Sequence, residues 1–167
     1  MSELDYNLAT ADDMDEVLSL YQRAVNKMLS LGIDQWDDIY PDEKQLRYDR
    51  EQSQLYKVSI DGRIASTYVL NQEFDEEYHK GQWQYPHSDF TVIHRLCVNP
   101  LFQNQKVGYR TMMHIHEELR AKGTETVRLD CFTLNPYAIR LYTKLGYHMV
   151  GIARFRKGDF HLMEYKL

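Results

Sequence analysis

The apolar pattern between positions 91 and 122 changes period once, and that change limits the folds open to the chain. From Thr91 the sequence alternates: Val92, His94, Leu96 and Val98 fall on one side, Ile93, Arg95 and Cys97 on the other. That is the two-residue period of a strand. Asn99-Pro100 stops it, because proline has no N–H for a ladder and biases its predecessor out of the helical region. A polar loop follows, Gln103-Asn104-Gln105-Lys106, then Val107-Gly108. From there to Lys122 the residues Met112, Ile115, His116 and Leu119 recur at helical spacing, flanked by Val107 and Met113, and Gly123 supplies a stop. The unit is a strand, a short polar loop and a helix.

Such a unit aims the first unbonded N–H groups of a helix, with the positive end of its dipole, into the space beyond the strand. That is a seat for a phosphate or pyrophosphate. A single glycine in a strand-loop-helix is common, however, and does not assign one. The glycine-lysine-serine/threonine run of a P-loop is absent, and so is the dinucleotide fingerprint.

The rest of the chain reads in order. Residues 6–9 suit a short strand, and Thr10-Ala11-Asp12-Asp13 opens a helix in capping-box style. Met14, Val17, Leu18, Tyr21, Ala24, Val25 and Met28 make one apolar stripe that Gly32 ends. After an acidic and aromatic stretch, 33–40, Pro41 marks a helix start, with a weakly amphipathic helix over about 42–53. Residues 55–60 and 63–71 flank Asp61-Gly62 as a hairpin. Residues 73–89 form a long polar and aromatic connection, of the kind that is usually functional or mobile. Beyond the central unit come a buried strand (127–132), a helix (136–145) stopped by Gly146, and a hairpin of 147–153 and 161–167 turning near 157–159. The order β α α β β β α β α β β predicts an α/β domain with one mixed sheet and a right-handed parallel crossover.

At 167 residues the chain reads as a single domain, 1–167, long enough to bury about two-thirds of its unfolded surface. A net charge of −5 with no basic run argues against nucleic acid as a main partner. No stretch has the length of a membrane span and the acidic start has no leader-like apolar core, so no membrane partner is expected. Cys97 and Cys131 both lie in strand-like runs and read as buried hydrophobes, not as a disulfide or a metal framework. A cytoplasmic setting fits.

Val98, Pro100, Gln103, Val107 and Gly108 together resemble the acyl-CoA-binding signature of the GNAT superfamily of acyl-CoA-dependent N-acyltransferases. Downstream, the run from Asn135-Pro136-Tyr137-Ala138 through Leu141-Tyr142 to Lys144-Leu145-Gly146-Tyr147 resembles its second signature, in the right order and separation. The resemblance implies a GNAT-like mixed sheet of about seven strands flanked by about four helices, with the fourth and fifth strands splayed. It implies acetyl-CoA as co-substrate, no metal, and transfer to a primary amine in a ternary complex. The acceptor is a small molecule or a protein amine, and a homodimer is left open. One departure matters: the family usually carries glycine where this chain has Asn104 and Lys106. Asparagine tolerates a left-handed backbone better than lysine does, whereas Lys106 would offer a cation to the pyrophosphate. A rival reading, a non-catalytic acyl-CoA-binding or interaction module on the same fold, stays open here.

Acyl transfer to an amine needs a held donor, a deprotonated amine, a polarised carbonyl and a protonated leaving thiolate. The resemblance assigns the donor's arm to the backbone of Leu96, Cys97 and Val98. It assigns the pyrophosphate to Gln103, Asn104, Gln105, Lys106, Val107, Gly108 and Tyr109, with Arg110 as an extra charge or else a solvated helix-start residue. Tyr142 matches the family's usual thiolate acid, although Ala138, Leu141, Tyr142 and Leu145 also form a helical core stripe. Asn135 suits a helix cap on propensity and a cofactor contact by resemblance. His94 is the candidate base, since an imidazole titrates near neutrality, while a half-buried structural histidine is the plainer alternative. Asp130 and Cys131 are weaker candidates. Trp36, Tyr40 and Trp83 are the candidate acceptor-binding residues, with Asp37, Asp38, Glu76, Glu77, Tyr85, Phe155 and Phe160 nearby in the same segments. Acids beside aromatics suit an ammonium group.

Overall fold

A computed structural model describes residues 2–102 and 104–167. Its strands are β1 (Asp5–Leu8), β2 (Leu55–Ile60), β3 (Arg63–Asn71), β4 (Phe90–Val98), β5 (Thr126–Phe132), β6 (His148–Phe155) and β7 (Gly158–Lys166). They form one mixed sheet in the order β1-β2-β3-β4-β5-β7-β6. The α-helices among the described residues are α1 (Met14–Ser30), α2 (Glu43–Glu51), α3 (Val107–Ala121) and α4 (Pro136–Leu145). The expected order of elements and the mixed α/β sheet are both observed. Two compact units divide the chain: residues up to Leu70 with Arg95–Met112, and Asn71–His94 with Met113–Leu167.

In the first unit α1 buries Met14, Val17, Leu20, Tyr21, Ala24 and Val25. They share a core with Trp36, Leu46, Leu55, Ile64, Val69 and Cys97. Full burial of each large aliphatic side chain stabilises by about 1.5–3 kcal/mol. The capping box is present, with the Asp13 carboxylate accepting from the Thr10 N–H at 2.7 Å and its hydroxyl at 3.0 Å. A 3-10 turn, Ala11–Asp13, precedes α1. Pro41 lies before the cap of α2 and not in its first turn: Asp42 is the cap, its side chain accepting from the Gln45 N–H at 2.9 Å. Asp61 and Gly62 take φ 49° and 78°, the two positive values that a mirror-image hairpin turn requires.

In the second unit β5 is buried along nearly its whole length and pairs antiparallel with β7, which pairs with β6. The last hairpin is longer than its sequence pattern indicates. Phe155 pairs with Gly158, so the turn is Arg156-Lys157, and Gly158 at φ 140° belongs to the strand. The 73–89 connection is also more ordered than its polarity suggests. It holds a 3-10 helix, Glu76–Lys80, whose Tyr78 is buried in a core of Val92, Val150, Ala153 and Leu162. Backbone bonds secure it, Gln82 N–H to the Val150 carbonyl at 2.7 Å and Gln84 N–H to the Glu164 carboxylate at 2.8 Å.

The unbroken alternation expected along β4 does not hold. Arg95 takes φ 52°, in the left-handed region, so the strand kinks there and the two-residue period is interrupted. Before the kink, Phe90–Val92 pair in parallel with Thr126–Arg128 of β5.

Candidate active site

The first unit holds the end of β4 from Arg95, the loop, and the start of α3 as far as Met112. Leu96 and Val98 are half-buried, and Cys97 is in the core, where burial pushes its thiol pKa well up. Asn99 pins the end of the strand. Its N–H donates to the Ala65 carbonyl at 2.8 Å, its Nδ2 donates to the Ile64 carbonyl at 2.9 Å, and its Oδ1 accepts from the Leu101 N–H at 3.0 Å. A short 3-10 turn, Pro100–Phe102, follows. Gln103 lies outside the described residues. Asn104 takes φ 65° and Lys106 φ 54°, so both positions where the resembled family carries glycine are left-handed here. Asn104 and Lys106 are exposed and Gln105 half-buried. The Lys106 carbonyl accepts from the Arg110 N–H at 2.9 Å. The N–H groups of Val107, Gly108 and Tyr109 therefore precede that bond and point out of the helix end. Buried Val107, Thr111 and Met112 fix that end, with Thr111 Oγ1 2.9 Å from Ser66 Oγ. Arg110 turns its Nη2 to the Ser2 carbonyl at 2.7 Å, and its Nη1 is buried without a partner among the described residues.

The kinked Arg95 is gripped on every side within this unit. The Tyr21 hydroxyl donates to its carbonyl at 2.5 Å and accepts from Thr67 Oγ1 at 3.1 Å. Its Nε and Nη2 donate to the two carboxylate oxygens of Asp49, both at 2.8 Å, and its Nη1 donates to the Tyr40 hydroxyl at 2.8 Å. The Arg95 side chain is 8% exposed and that of Asp49 is wholly buried. Burial pulls the Arg95 pKa down, and Tyr40 and Asp49 more than reverse it, so the net shift is upward. Of the candidate acceptor residues, Tyr40 is exposed beside this pair. Trp36 is buried against Tyr21, ring centroids 5.6 Å apart.

The second unit holds the remaining candidates. His94 Nε2 lies 2.8 Å from Asn71 Oδ1 and 2.9 Å from the Glu73 carbonyl. That Oδ1 also accepts from the Glu73 N–H at 2.9 Å, so it is an acceptor and His94 Nε2 is the donor. The neutral ring then carries its basic lone pair on Nδ1. Asp130 accepts from the Tyr78 hydroxyl at 2.6 Å. Tyr142 is 8% exposed and packs edge-on to Tyr147. Its hydroxyl makes no hydrogen bond among the described residues. Burial, then Cys131 and Asp130, hold its pKa well above the ordinary phenol value, so it is protonated across the physiological range. Asn135 caps α4, its Oδ1 accepting from the Ala138 N–H at 3.1 Å. The Cys131 thiol is pushed up to about 12 by burial and then by Asp130, which disfavours the thiolate a nucleophile needs. Trp83 is half-buried, its Nε1 donating to the Tyr78 carbonyl at 2.9 Å and its ring 4.6 Å from the Arg128 guanidinium carbon. Among the described residues no group of three or more His, Cys, Asp or Glu could hold a metal.

Sequence reasoning passed over Arg95, Asp49 and Tyr21. One signal was present: Asp49 stands three residues after Leu46, on the face that α2 buries, where a lone carboxylate demands a partner.

A model of the acetyltransferase (GNAT) family matches residues 14–147. The S-alkylcysteine N-acetyltransferase of Bacillus subtilis (strain 168) is 22% identical over 170 residues, covering 100% of this chain and 90% of that protein. The ribosomal protein bS18-alanine N-acetyltransferase of Escherichia coli (strain K12) is 32% identical over 66 residues, 40% of this chain and 45% of that one. Among solved structures, a GNAT-family acetyltransferase from Streptococcus agalactiae 2603 superimposes with TM-score 0.88 at 19% identity, covering 98% of this chain and 95% of its own. PaiA N-acetyltransferase from Thermoplasma acidophilum, in complex with coenzyme A, superimposes with TM-score 0.74 at 14% identity, covering 99% of each.

Proposed function

The chain belongs to the acetyltransferase (GNAT) family, and from that premise we propose that it moves an acetyl group from acetyl-CoA to a primary amine by direct transfer. The observation that carries this reading is the loop before α3. Two left-handed residues, Asn104 and Lys106, deliver the chain to a helix start whose first N–H groups face outward. That is an anion cradle, and a pyrophosphate is the anion it suits. The residues present fit the donor: no acidic side chain stands between Asn99 and Arg110, and Lys106 adds a cation.

The backbone of Leu96, Cys97 and Val98, beyond the kink at Arg95, supplies amide groups for the donor's arm and for polarising the thioester oxygen. The acceptor nitrogen attacks the carbonyl carbon, the C–S bond breaks, and the sulfur leaves as a thiolate that takes the Tyr142 proton. The proton lost by the amine goes to His94 Nδ1, directly or through water, while Nε2 stays bonded to Asn71 and Glu73. Tyr142 suits its part because its hydroxyl is protonated and makes no hydrogen bond among the described residues. Neither cysteine is held in the thiolate form, which favours direct transfer over an acyl-cysteine route. The relatives named for alanine and S-alkylcysteine make amino-acid-derived amines the first acceptors to try.

The test is release of free thiol from acetyl-CoA across a panel of amino acids, dipeptides and polyamines, with acetylated product identified by mass. Turnover with one acceptor class above the hydrolytic background is expected. Thiol release that no amine accelerates would reject the assignment.

A further inference from the structure

We propose that the Asp49–Arg95 ion pair is a positioning device, which holds the left-handed kink of β4 and, through Tyr40, fixes the connection between α1 and α2. The geometry begins with the backbone. A non-glycine residue at φ 52° inside a strand is strained by about 1–3 kcal/mol and persists only where its surroundings over-determine it. At Arg95 they do so from α1, from α2 and from the connection between them. Tyr21 of α1 holds the carbonyl, Asp49 of α2 takes two guanidinium nitrogens, and Tyr40 takes the third.

Asp49 is itself pinned. Its Oδ1 also accepts from Gln45 Nε2 at 3.0 Å, and its carbonyl accepts from the Gln54 N–H at 2.9 Å. A carboxylate and a guanidinium this deeply buried gain little net stability over an apolar pair of the same volume, because desolvation consumes most of their attraction. What the pair does supply is geometry. A planar fork on a fixed carboxylate allows one orientation, which neither a lysine nor an apolar contact would impose. The residue so fixed immediately precedes Leu96–Val98, the backbone assigned above to the donor. Tyr40 in turn is the exposed aromatic of a loop that holds candidate acceptor residues. The inference rests on that assignment for its catalytic meaning, while the mechanical lock stands on geometry alone.

The decisive variant is Asp49→Leu with Arg95→Met, which removes the charges together and leaves an apolar pair. Amide hydrogen exchange by mass spectrometry, without ligand, reads the lock. Peptides covering 95–98 and 37–41 are expected to exchange at least about tenfold faster, with peptides over 126–132 unchanged. In the transfer assay, kcat/KM is expected to fall about 10²-fold, as a misplacement near 1 Å produces. Its loss should lie in kcat and acceptor KM together, with the melting temperature within a few degrees of the parent. Unchanged exchange in both segments overturns the lock. Faster exchange with unchanged kcat/KM overturns the positioning role. If the apolar pair fails to fold, Arg95→Lys, which keeps the charge and loses the fork, carries both measurements. Should the parent protein transfer no acetyl group at all, the functional reading fails by itself, and the exchange measurement still decides the lock.

Discussion

Tyr142 is the residue at which packing and chemistry make different demands. Its ring is a core group against Tyr147, yet its hydroxyl has no partner among the described residues. Tyr142→Phe should therefore leave the melting temperature unchanged or slightly raised. If the hydroxyl protonates the thiolate, kcat should fall by about 10²–10⁴ with acetyl-CoA affinity nearly constant. Parent-like kcat in Tyr142→Phe would remove it from the mechanism. His116 makes a different expectation, in stability. It is buried, bonded to the Tyr147 hydroxyl at 2.8 Å and stacked on Tyr165. Burial, with Arg120 adding to it, lowers its pKa to about 4. The unfolded chain then binds a proton below its ordinary value near 6.5 that the folded protein refuses. Stability from this group is complete above about pH 6.5 and drains as pH falls toward 4, by up to about 2 kcal/mol. Melting curves at pH 7.5 and 4.5 should show a smaller acid loss in His116→Phe than in the parent. An identical loss in both would contradict it.

At the scale of elements, the loop from Asn104 to Lys106 shows what a sequence can hide in plain view. The family glycines are missing, and the backbone nonetheless adopts the conformation that glycine would favour. Lys106→Gly should relieve strain worth about 1 kcal/mol and offset it with unfolded-state entropy, leaving stability nearly level. Lys106→Val should lose more than about 1 kcal/mol, because a branched side chain is poorly tolerated at positive φ. Lys106→Ala tests the cation: its CoA affinity should be weaker than the parent's at low salt and converge with it at high salt. Equal affinity at both salt concentrations would show that the charge plays no part. The order of elements was legible from period and turn chemistry, since Asp61-Gly62, Asn99-Pro100, Gly123 and Gly146 punctuate it. The kink at Arg95 was not, because an arginine in an alternating strand reads as an outward residue and a bulge leaves no composition signal. Its partner is 46 positions away in α2, which looked weakly amphipathic because one of its two buried residues, Leu46 and Asp49, is charged. The resemblance to family motifs pointed to the loop before α3, to Tyr142 and to Asn135, since those stand in local motifs. It could not locate a contact made only by tertiary folding.

For the whole molecule, ligand and stability are linked by mass action. A donor that binds only the folded chain stabilises it by about 2.7 kcal/mol at a hundredfold excess over Kd. For a protein of 167 residues that is a rise in melting temperature of about 5–10 °C. Gly108→Asp separates the helix start's two roles. A carboxylate in the first turn of α3 favours the helix dipole, by about 0.3–1 kcal/mol, so the unliganded protein should melt no earlier than the parent. The same carboxylate sets a negative charge and new bulk where the pyrophosphate is proposed to lie. The shift given by acetyl-CoA or CoA should therefore vanish in Gly108→Asp, while the apo melting temperature holds or rises. A destabilising packing defect would instead lower the apo value and leave the ligand-induced increment intact. Scans of both proteins with and without CoA distinguish these cases. A parent protein that CoA leaves unshifted, even at millimolar concentration, would reject the pyrophosphate assignment of the loop.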